Sequence, residues 1–492
     1  MIGKVYLVGA GPGDPELITL RGQRALARAD VVLYDHLANP VLLQHAPTAT
    51  RVYVGKKRSE HACTQPEIID LLVKYAVQGK TVVRLKGGDP FIFGRGGEEV
   101  EALAEKGVPF EVIPGVTAPL GIAAYTGVPL THRSHASVVT FVTGHEMASI
   151  DWSRIGLSET LVIFMGLHHL DQIVGNLISA GRPADTPAMA VRWGTRPDQQ
   201  TVAGTLEKLP MLVASAGMAP PATIIVGEVV RLREKINWFE RLPLFGKQIV
   251  ITRGEEQGRD FARQLRELGA DAVQLPVIEV APLNDYSALD ASIGELEQYD
   301  WLIFTSANAV EYFLARLRIS GRDARSIRGR ICAIGPKTDA LLASFWLTAD
   351  LIPSETTSEG VAAAFGSFDI RGARVLVPRA ATAREVIPAA LQAMGAQVDV
   401  VDAYRNVVPT DAEERVRAYL ARGRKPHWIT FTSGSTVKNF LAITGLEALS
   451  GVRVVSIGPA TSDVARMHGL EVHAEANPST VEGMVEAIVK VL

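Results

Sequence analysis

A chain of 492 residues, 47% hydrophobic and 21% charged, is too long for one core and predicts an α/β protein of three or four compact units. The formal net charge of −3 argues against bulk nucleic-acid binding, so any anionic ligand must meet local basic clusters. Two cysteines, Cys63 and Cys332, are too few and too far apart for a disulfide framework or a zinc site, and we predict no metal. We expect a cytoplasmic protein without a membrane partner, since we find neither a signal pattern at Met1 nor an apolar run of spanning length.

The first two predicted strands each end at residues that are unusual for a simple connection. Strand 5–8 runs into a glycine-rich turn, which is not a dinucleotide fingerprint because the third required glycine falls on Asp14 and Pro12 interrupts the turn. Strand 31–34 ends at Asp35, where open α/β sheets place functional groups. A helix N-cap is an equally good interpretation of Asp35 from its position alone.

The stretch 81–99 has the highest density of glycine, proline and charged residues at places where the chain turns. Its strand, 81–85, cannot continue into Lys86-Gly87-Gly88-Asp89-Pro90, because two adjacent glycines allow positive φ and a close approach. An apolar segment, 91–93, and a second glycine cluster around Arg95 follow. Two tight turns are the plain interpretation, but this density favours a ligand-binding loop.

Further strands with glycine-containing ends predict a second α/β lobe that begins near 114–119. Two lobes with such strand ends imply a ligand in the cleft between them. His132 and His135 lack a third ligand at metal spacing, so we interpret them as loop residues. A strand at 112–113 precedes this boundary, and the strands of the second lobe are predicted at 138–143, 161–164, 188–192 and 223–226.

The ordered motifs GAGPGDPELITLRG, YDHL, VGKK, RLKGGDPFIFGRGGEE, PGVTA, GVPLTHR, VTGH, FMG and GEVV resemble uroporphyrinogen-III C-methyltransferases of the tetrapyrrole methylase superfamily, over about 5–239. The resemblance implies S-adenosyl-L-methionine between two lobes and methylation of two carbons of uroporphyrinogen III to give precorrin-2. It implies Asp35 as proton acceptor and Lys56 as proton donor. The cofactor residues it implies are Pro12, Gly87, Gly88, Asp89, Ile92, Thr117, Ala118, Met165 and Gly194.

The substrate of this family is an octacarboxylate, so basic side chains near the motifs are candidate partners for its carboxylates. We predict Arg95 and Arg133 as substrate-binding residues. A precorrin methylase or an RNA 2′-O-methyltransferase on the same fold is an alternative, and the neutral overall charge argues against the RNA enzyme. Further basic candidates are Lys56, Lys57, Arg58 and Arg84.

Beyond a connector at 234–244, the chain repeats itself. Segment 246–253 parallels 372–379, and Phe304-Thr305-Ser306 parallels Phe431-Thr432-Ser433. Each repeat alternates strands and helices, which predicts two flavodoxin-like parallel lobes. The hydroxyls of Thr305, Ser306, Thr432 and Ser433 lie at strand-to-helix turns, where they either receive substrate carboxylates or simply cap helices. Extended segments 277–282 and 404–409 occupy equivalent places and predict a two-stranded bridge between the lobes.

This second half, about 244–492, resembles uroporphyrinogen-III synthases. The resemblance implies cyclisation of hydroxymethylbilane with inversion of the last pyrrole ring, without a metal. It implies Tyr404 as donor to the departing hydroxyl and Thr461 near the substrate. The alternative is a methyltransferase whose C-terminal lobes only bind a tetrapyrrole.

We therefore predict a bifunctional enzyme on an α/β framework, with a two-lobed methylase fold followed by a two-lobed flavodoxin-like synthase fold. The methylase, 1–240, has lobes at about 1–115 and 116–240, and a linker spans 241–246. The synthase, 247–492, has one lobe from 247–280 plus 408–492 and another from 281–407. The resemblance implies a homodimer through the methylase half, and both sirohaem and cobalamin stay open as end products.

Overall fold

The computed structural model describes residues 1–55, 63–355, 357–382, 385–423 and 425–492. It forms two compact units: Met1–Gln248 with Leu265–Asp271, and Ile249–Gln264 with Ala272–Leu492. The predicted α/β class is confirmed, because helices cover four five-stranded sheets. Within the described ranges, no helix is both long and apolar enough to cross a membrane.

The first sheet of the first unit is entirely parallel, with strand order β3-β2-β4-β1-β5. Its strands are rich in Val and Leu because helices bury both faces. The strands are β1 (Val5–Gly9), β2 (Val31–Tyr34), β3 (Thr50–Tyr53), β4 (Val82–Lys86) and β5 (Phe110–Ile113), and the helices are α1 (Leu20–Ala27), α2 (Gln65–Val77) and α3 (Gly96–Glu105).

The alternation of β4 decides which side chains meet which helices. Val83 packs in the layer that contains α1, while Val82 packs with residues of α2 and α3. Since successive side chains of a strand point to opposite faces, Arg84 and Lys86 lie on the α2–α3 face with Val82. Both cations are buried there.

The second sheet of this unit is mixed, with strand order β6-β7-β10-β8-β9. Only β6 and β7 pair in parallel, while β10 runs antiparallel to β7 and β8, and β8 to β9. The strand directions of this lobe were not predicted. The elements are α4 (Ala118–Thr126), β6 (Val139–Thr143), α5 (Trp152–Ile155), β7 (Thr160–Phe164), α6 (Leu170–Ser179), β8 (Pro187–Arg192), β9 (Gln200–Thr205), α7 (Leu209–Ser215), β10 (Ala222–Val226) and α8 (Arg233–Ile236).

Two further sheets in a strand–helix alternation lie in the second unit, apart from Gln248, 265–267 and Asp271 at element ends, which belong to the first. The strands of the second unit are β11 (Gln248–Ile251), β12 (Asp271–Gln274), β13 (Glu279–Ala281), β14 (Trp301–Phe304), β15 (Arg330–Ala333), β16 (Arg374–Ala380), β17 (Gln397–Val407), β18 (Trp428–Phe431), β19 (Arg453–Ser456) and β20 (Ala474–Glu475). Its helices are α9 (Glu255–Glu267), α10 (Ser287–Gly294), α11 (Ala307–Ile319), α12 (Pro336–Ser344), α13 (Ser358–Phe365), α14 (Val386–Ala393), α15 (Ala412–Leu420), α16 (Gly434–Thr444), α17 (Pro459–Met467) and α18 (Val481–Lys490).

The chain crosses twice between these two sheets, whose orders are β12-β11-β18-β19-β20 and β13-β17-β16-β14-β15. The predicted bridge is confirmed: β13 pairs antiparallel with the end of β17, with Glu279 opposite Val407 and Ala281 opposite Arg405. The long strand β17 first pairs in parallel with β16 and then continues alongside β13.

The internal repeat of the sequence is also a structural repeat. Ser306 follows β14 with φ −167° and ψ 159°, and Ser433 follows β18 with φ −166° and ψ 159°. Each hydroxyl accepts a hydrogen bond from the backbone N–H three residues later, so each serine caps its helix.

Short 3-10 helices lie at Pro15–Leu17, Pro40–His45, Met147–Ser149, Leu167–His169, Glu228–Leu232, Phe239–Arg241, Leu296–Gln298, Ala324–Ser326 and Glu447–Leu449.

Candidate active sites

Three glycine turns at the carboxyl ends of β1, β4 and β5 meet in the first unit. Gly11 and Gly88 exchange backbone hydrogen bonds of 3.3 and 2.7 Å, and Gly88 has a φ of +66°. A Cβ on Gly115 would lie 2.3 Å from the carbonyl oxygen of Gly88, and one on Gly9 would lie 2.5 Å from the Cα of Gly115. The turns approach this closely only because they lack side chains.

These turns border a cavity of about 350 Å³ between the two sheets of the unit. That size suits a small organic ligand, since such pockets measure about 300 to 1,000 Å³. All nine cofactor residues that the resemblance implies line it, and so do Asp35 and Arg95. The nine are Pro12, Gly87, Gly88, Asp89, Ile92, Thr117, Ala118, Met165 and Gly194.

Four residues that line the cavity hold a left-handed backbone although they are not glycine. They are Phe93, Arg95, Met165 and Trp193, with φ between 50° and 57°. Such conformations are uncommon and persist where the surroundings enforce them, often at functional sites. The rings of Phe93 and Phe164 lie 4.8 Å apart and form an apolar wall of the cavity.

Asp35 projects into the cavity from the end of β2. Its Oδ1 accepts a hydrogen bond of 3.0 Å from the backbone N–H of Leu37, and its Oδ2 accepts one of 3.1 Å from Nη2 of Arg84. The N-cap interpretation of Asp35 is wrong, because Asn39 caps the 3-10 helix that follows. Asp35 is thus a carboxylate held by one backbone N–H and one buried guanidinium.

A buried charge cluster lies beside Asp35. The carboxylate of Glu99 accepts hydrogen bonds from Nζ of Lys86 at 2.8 Å, Nε of Arg84 at 3.3 Å and Nε2 of Gln65 at 3.1 Å. Burial and the positive charge of Arg84 lower the pKa of the Lys86 amine. We did not predict Gln65, Lys86 or Glu99 as site residues, although two cations on one buried strand face already require a buried carboxylate.

The predicted basic partners of the substrate are dispersed. Arg84 binds the protein's own carboxylates, and Arg95 makes a bidentate pair with Glu98 at 2.8 and 2.7 Å. Arg133 is exposed and does not line the cavity. Lys56, Lys57 and Arg58 lie outside the described residues. In the part of the chain that the structure describes, no His, Cys, Asp and Glu side chains group in a way that could hold a metal ion.

In the second unit, Tyr404 lies where β17 passes from β16 to β13. It is buried, and its hydroxyl lies 3.1 Å from the hydroxyl of Ser306. The ring of Tyr312 stacks 5.6 Å from the Tyr404 ring, tilted by 30°. Either hydroxyl can donate in this pair, and Oγ of Ser306 also accepts from the N–H of Ala309.

Of the other predicted synthase residues, Thr305 directly follows β14, and the remaining three lie at the carboxyl edge of the sheet that contains β18. Thr432 and Ser433 follow β18, and Thr461 is buried in the first turn of α17. Nε2 of Gln257 lies 3.2 Å from Oδ1 of Asn308, which joins the helix after β11 to the helix after β14. The carboxyl edge of the sheet that contains β11 therefore lies beside the carboxyl edge of the sheet that contains β14. The described residues include no hydrogen bond between the Ser306–Tyr404 pair and the Thr432, Ser433 and Thr461 group.

Comparisons with known proteins agree with this two-unit arrangement. Residues 4–210 match the family Tetrapyrrole (Corrin/Porphyrin) Methylases, and residues 259–486 match Uroporphyrinogen-III synthase HemD. The porphyrin biosynthesis protein HemD of Ruminiclostridium josui is 36% identical over 496 residues, which cover 99% of this chain and 98% of that protein.

Two further similarities concern the first half alone. Siroheme synthase of Pseudomonas paraeruginosa is 54% identical over 243 residues, 48% of this chain and 52% of that protein, so the chain spans about half the length of that relative. A crystal structure of uroporphyrin-III C-methyl transferase from Thermus thermophilus, complexed with S-adenyl homocysteine, is 44% identical with a TM-score of 0.41, and the match covers 47% of this chain and 100% of that one.

A tetrapyrrole methylase domain followed by a uroporphyrinogen-III synthase domain defines the class of this protein. The chain belongs to the family of the R. josui porphyrin biosynthesis protein HemD, with which it aligns over almost its full length. It is a bifunctional enzyme of tetrapyrrole biosynthesis that combines uroporphyrinogen-III C-methyltransferase with uroporphyrinogen-III synthase.

S-adenosyl-L-methionine is the cofactor of the methyltransferase domain. The cavity fits it in size, and the Gly88 turn offers a surface that a side chain would otherwise occupy. Apolar walls such as Phe93 and Phe164 suit an adenine and a methylsulfonium, while backbone groups of the glycine turns suit its polar ends.

Replacement of Gly115 by Ala is expected to weaken binding of S-adenosylhomocysteine by about 10- to 100-fold, because its Cβ would displace the Gly88 turn. Overpacking at this contact should also lower the free energy of unfolding by about 1 to 3 kcal/mol. Isothermal titration calorimetry and thermal denaturation measure the two effects.

Gly97→Ala is the matched control for this substitution. Gly97 lies in α3, and nothing comes within 4 Å of the position of its Cβ. Alanine in a helix is favoured over glycine, so stability should be equal or slightly higher and the affinity unchanged. Equal affinities in the two variants would contradict the conclusion that cofactor binding depends on the close approach of the Gly88 and Gly115 turns.

Proposed function

We propose that the second domain cyclises hydroxymethylbilane to uroporphyrinogen III and that the first domain transfers two methyl groups to this product, giving precorrin-2. The observation that carries the methyltransferase proposal is the convergence of the nine implied cofactor residues and Asp35 on one cavity. The synthase proposal is carried by the buried Tyr404 hydroxyl beside Ser306.

In the first domain, Asp35 is the proposed proton acceptor. The bound cofactor supplies a methyl group on a positively charged sulfur. When a pyrrole carbon of the substrate takes this methyl group, the ring system becomes cationic, and loss of one proton to Asp35 restores neutrality. The glycine turns align the two reactants, and positioning of this kind supplies several kcal/mol. Lys56, the proton donor that the resemblance implies, lies outside the described residues.

In the second domain, Tyr404 is the proposed donor to the departing hydroxyl of hydroxymethylbilane. As the carbon–oxygen bond breaks, the Tyr404 proton leaves with the hydroxyl as water. Attack by the last pyrrole ring on the resulting cation then closes the macrocycle with inversion of that ring, and release of one proton restores the tyrosine. Thr305, Ser306, Thr432, Ser433 and Thr461 are the proposed hydrogen-bonding partners of the substrate.

The full chain tests both proposals in one assay. Hydroxymethylbilane alone should give uroporphyrinogen III, and addition of S-adenosylmethionine should convert it to precorrin-2. Chromatography of the oxidised products separates the type I and type III isomers, and absorbance follows methylation.

The alternative, a non-catalytic tetrapyrrole-binding module, gives a different pattern. Uroporphyrinogen III supplied directly would still be methylated, while hydroxymethylbilane would give only the spontaneous type I isomer. Failure of methylation on supplied uroporphyrinogen III would reject the methyltransferase proposal instead.

Three further proposals concern organisation and setting. The methylase is proposed to end near 240 with a linker at 241–246, and the synthase lobes to be 247–280 plus 408–492 and 281–407. A homodimer through the methylase half follows from the resemblance. A cytoplasmic location is supported by the two cysteines, Cys63 and Cys332, which are both free.

A further inference from the structure

The buried carboxylate of Glu99 occupies an unusual position. It lies in the first turn of α3, is 0% exposed, and faces the strand that carries Arg84 and Lys86. One oxygen, Oε1, accepts all three hydrogen bonds from Gln65, Arg84 and Lys86. Among the described residues, Oε2 has no partner.

Arg84 connects this carboxylate to the cavity. Its Nε donates to Glu99, its Nη2 donates to Asp35, and its Nη1 donates to the carbonyl of Leu85 at 3.1 Å. The guanidinium is therefore fixed along its length, with the side chain of Arg84 only 5% exposed. A planar guanidinium that is fixed in this way also fixes the orientation of the Asp35 carboxylate.

Stability alone does not explain the cluster. A buried ion network is often no more stable than apolar residues of similar volume, and an unpartnered buried carboxylate oxygen adds a desolvation penalty. Networks of this kind persist where they hold a functional group in place. The chain of hydrogen bonds from Glu99 through Arg84 ends at Asp35, which lines the cavity.

We propose that Glu99 is a positioning residue for methyl transfer: it clamps Arg84, and Arg84 orients Asp35 for proton acceptance. This inference rests on the proposed role of Asp35. Glu99 does not line the cavity, so it acts through its neighbours and not by touching either reactant.

The first test is Glu99→Gln in the full chain, with uroporphyrinogen III and S-adenosylmethionine as substrates. Glutamine has nearly the shape of glutamate but no negative charge, so it binds Arg84 and Lys86 more weakly. The kcat should therefore fall about 10- to 100-fold. The dissociation constant of S-adenosylhomocysteine should change by less than about twofold, since the glycine turns are untouched. Glu101→Gln, an exposed position on the same helix, is the control and should retain full turnover.

A double-mutant cycle with Asp35→Asn separates positioning from a general structural role. If Glu99 acts through Asp35, Glu99→Gln should lower turnover no further in the Asp35→Asn background. Additive losses would overturn the inference. Full turnover of Asp35→Asn would reject the proposed proton acceptor itself, whereas loss in Asp35→Asn with full turnover in Glu99→Gln would reject only the role of Glu99.

Glu99→Asp keeps the proposal testable if the glutamine variant does not fold. The shorter side chain retains the charge and should give a kcat between those of Glu99→Gln and the unaltered protein. Binding of S-adenosylhomocysteine reports that the domain is folded in each variant. Normal binding with unaltered kcat in Glu99→Asp and loss only of thermal stability would show a purely structural role.

Discussion

Asp35→Asn is expected to lower the turnover of methyl transfer by about 10²- to 10⁴-fold, the usual contribution of a general base. Asparagine keeps the acceptor for the N–H of Leu37 but cannot take a proton at neutral pH. The glycine turns that border the cavity do not depend on this side chain, so S-adenosylhomocysteine should bind normally. Single-turnover kinetics with uroporphyrinogen III measure the loss.

The control for this variant is Asp70→Asn. Asp70 is an exposed carboxylate on α2 that pairs only with Lys106, at 3.3 Å, among the described contacts. Its removal should leave turnover unchanged, because exposed ion pairs contribute little. Equal turnover in the Asp35 and Asp70 variants would remove Asp35 from the mechanism. Loss of S-adenosylhomocysteine binding in Asp35→Asn would instead indicate damage to the cavity.

Tyr404→Phe is expected to lower formation of uroporphyrinogen III by about 10²-fold or more, because the departing hydroxyl loses its proton donor. The ring remains to pack against Tyr312, so the fold should persist. The assay must count the type III isomer, since hydroxymethylbilane also closes spontaneously to type I. Methylation of supplied uroporphyrinogen III should be unaffected.

Tyr299→Phe is the matched control in the same sheet region. The Tyr299 hydroxyl donates to Asp399 at 2.8 Å, so its removal deletes one tyrosine hydrogen bond that the proposed mechanism does not use. A cost of about 1 kcal/mol in stability is expected, without loss of turnover. A loss as large as that of Tyr404→Phe would mean that turnover reflects stability and not proton donation.

Much of the first cavity could be predicted because its residues are written in contiguous segments. Gly87, Gly88 and Asp89 end a strand within one short stretch, and Gly88 does take a positive φ there. The carboxyl ends of parallel strands lie at one edge of a sheet, so Asp35 after β2 and Gly88 after β4 were expected at the same edge. The structure adds that β2 and β4 are adjacent strands. The bridge between the synthase lobes was predictable for a related reason, since the repeat placed two extended segments at equivalent positions.

The contacts of Arg84, which lines the cavity, could not be predicted from the sequence. As a cation beside a ligand loop it was a candidate partner for substrate carboxylates, but Asp35 and Glu99 already bind it. Periodicity identifies the buried face of β4 but not which helix covers it. The position of Glu99 over that face depends on how α3 packs, a long-range property.

The sequence by itself determined the α/β class, the repeat and the glycine turns, and it offered helix capping by Ser306 and Ser433 as one of two interpretations. Each of these depends on local backbone conformation or on the order of similar segments, which residue types encode directly. Only the tertiary structure decided the antiparallel strands of the second sheet, the chain of contacts from Glu99 through Arg84 to Asp35, and the pairing of Ser306 with Tyr404. These join residues far apart along the chain, and their contacts arise from packing between elements whose approach no local pattern specifies.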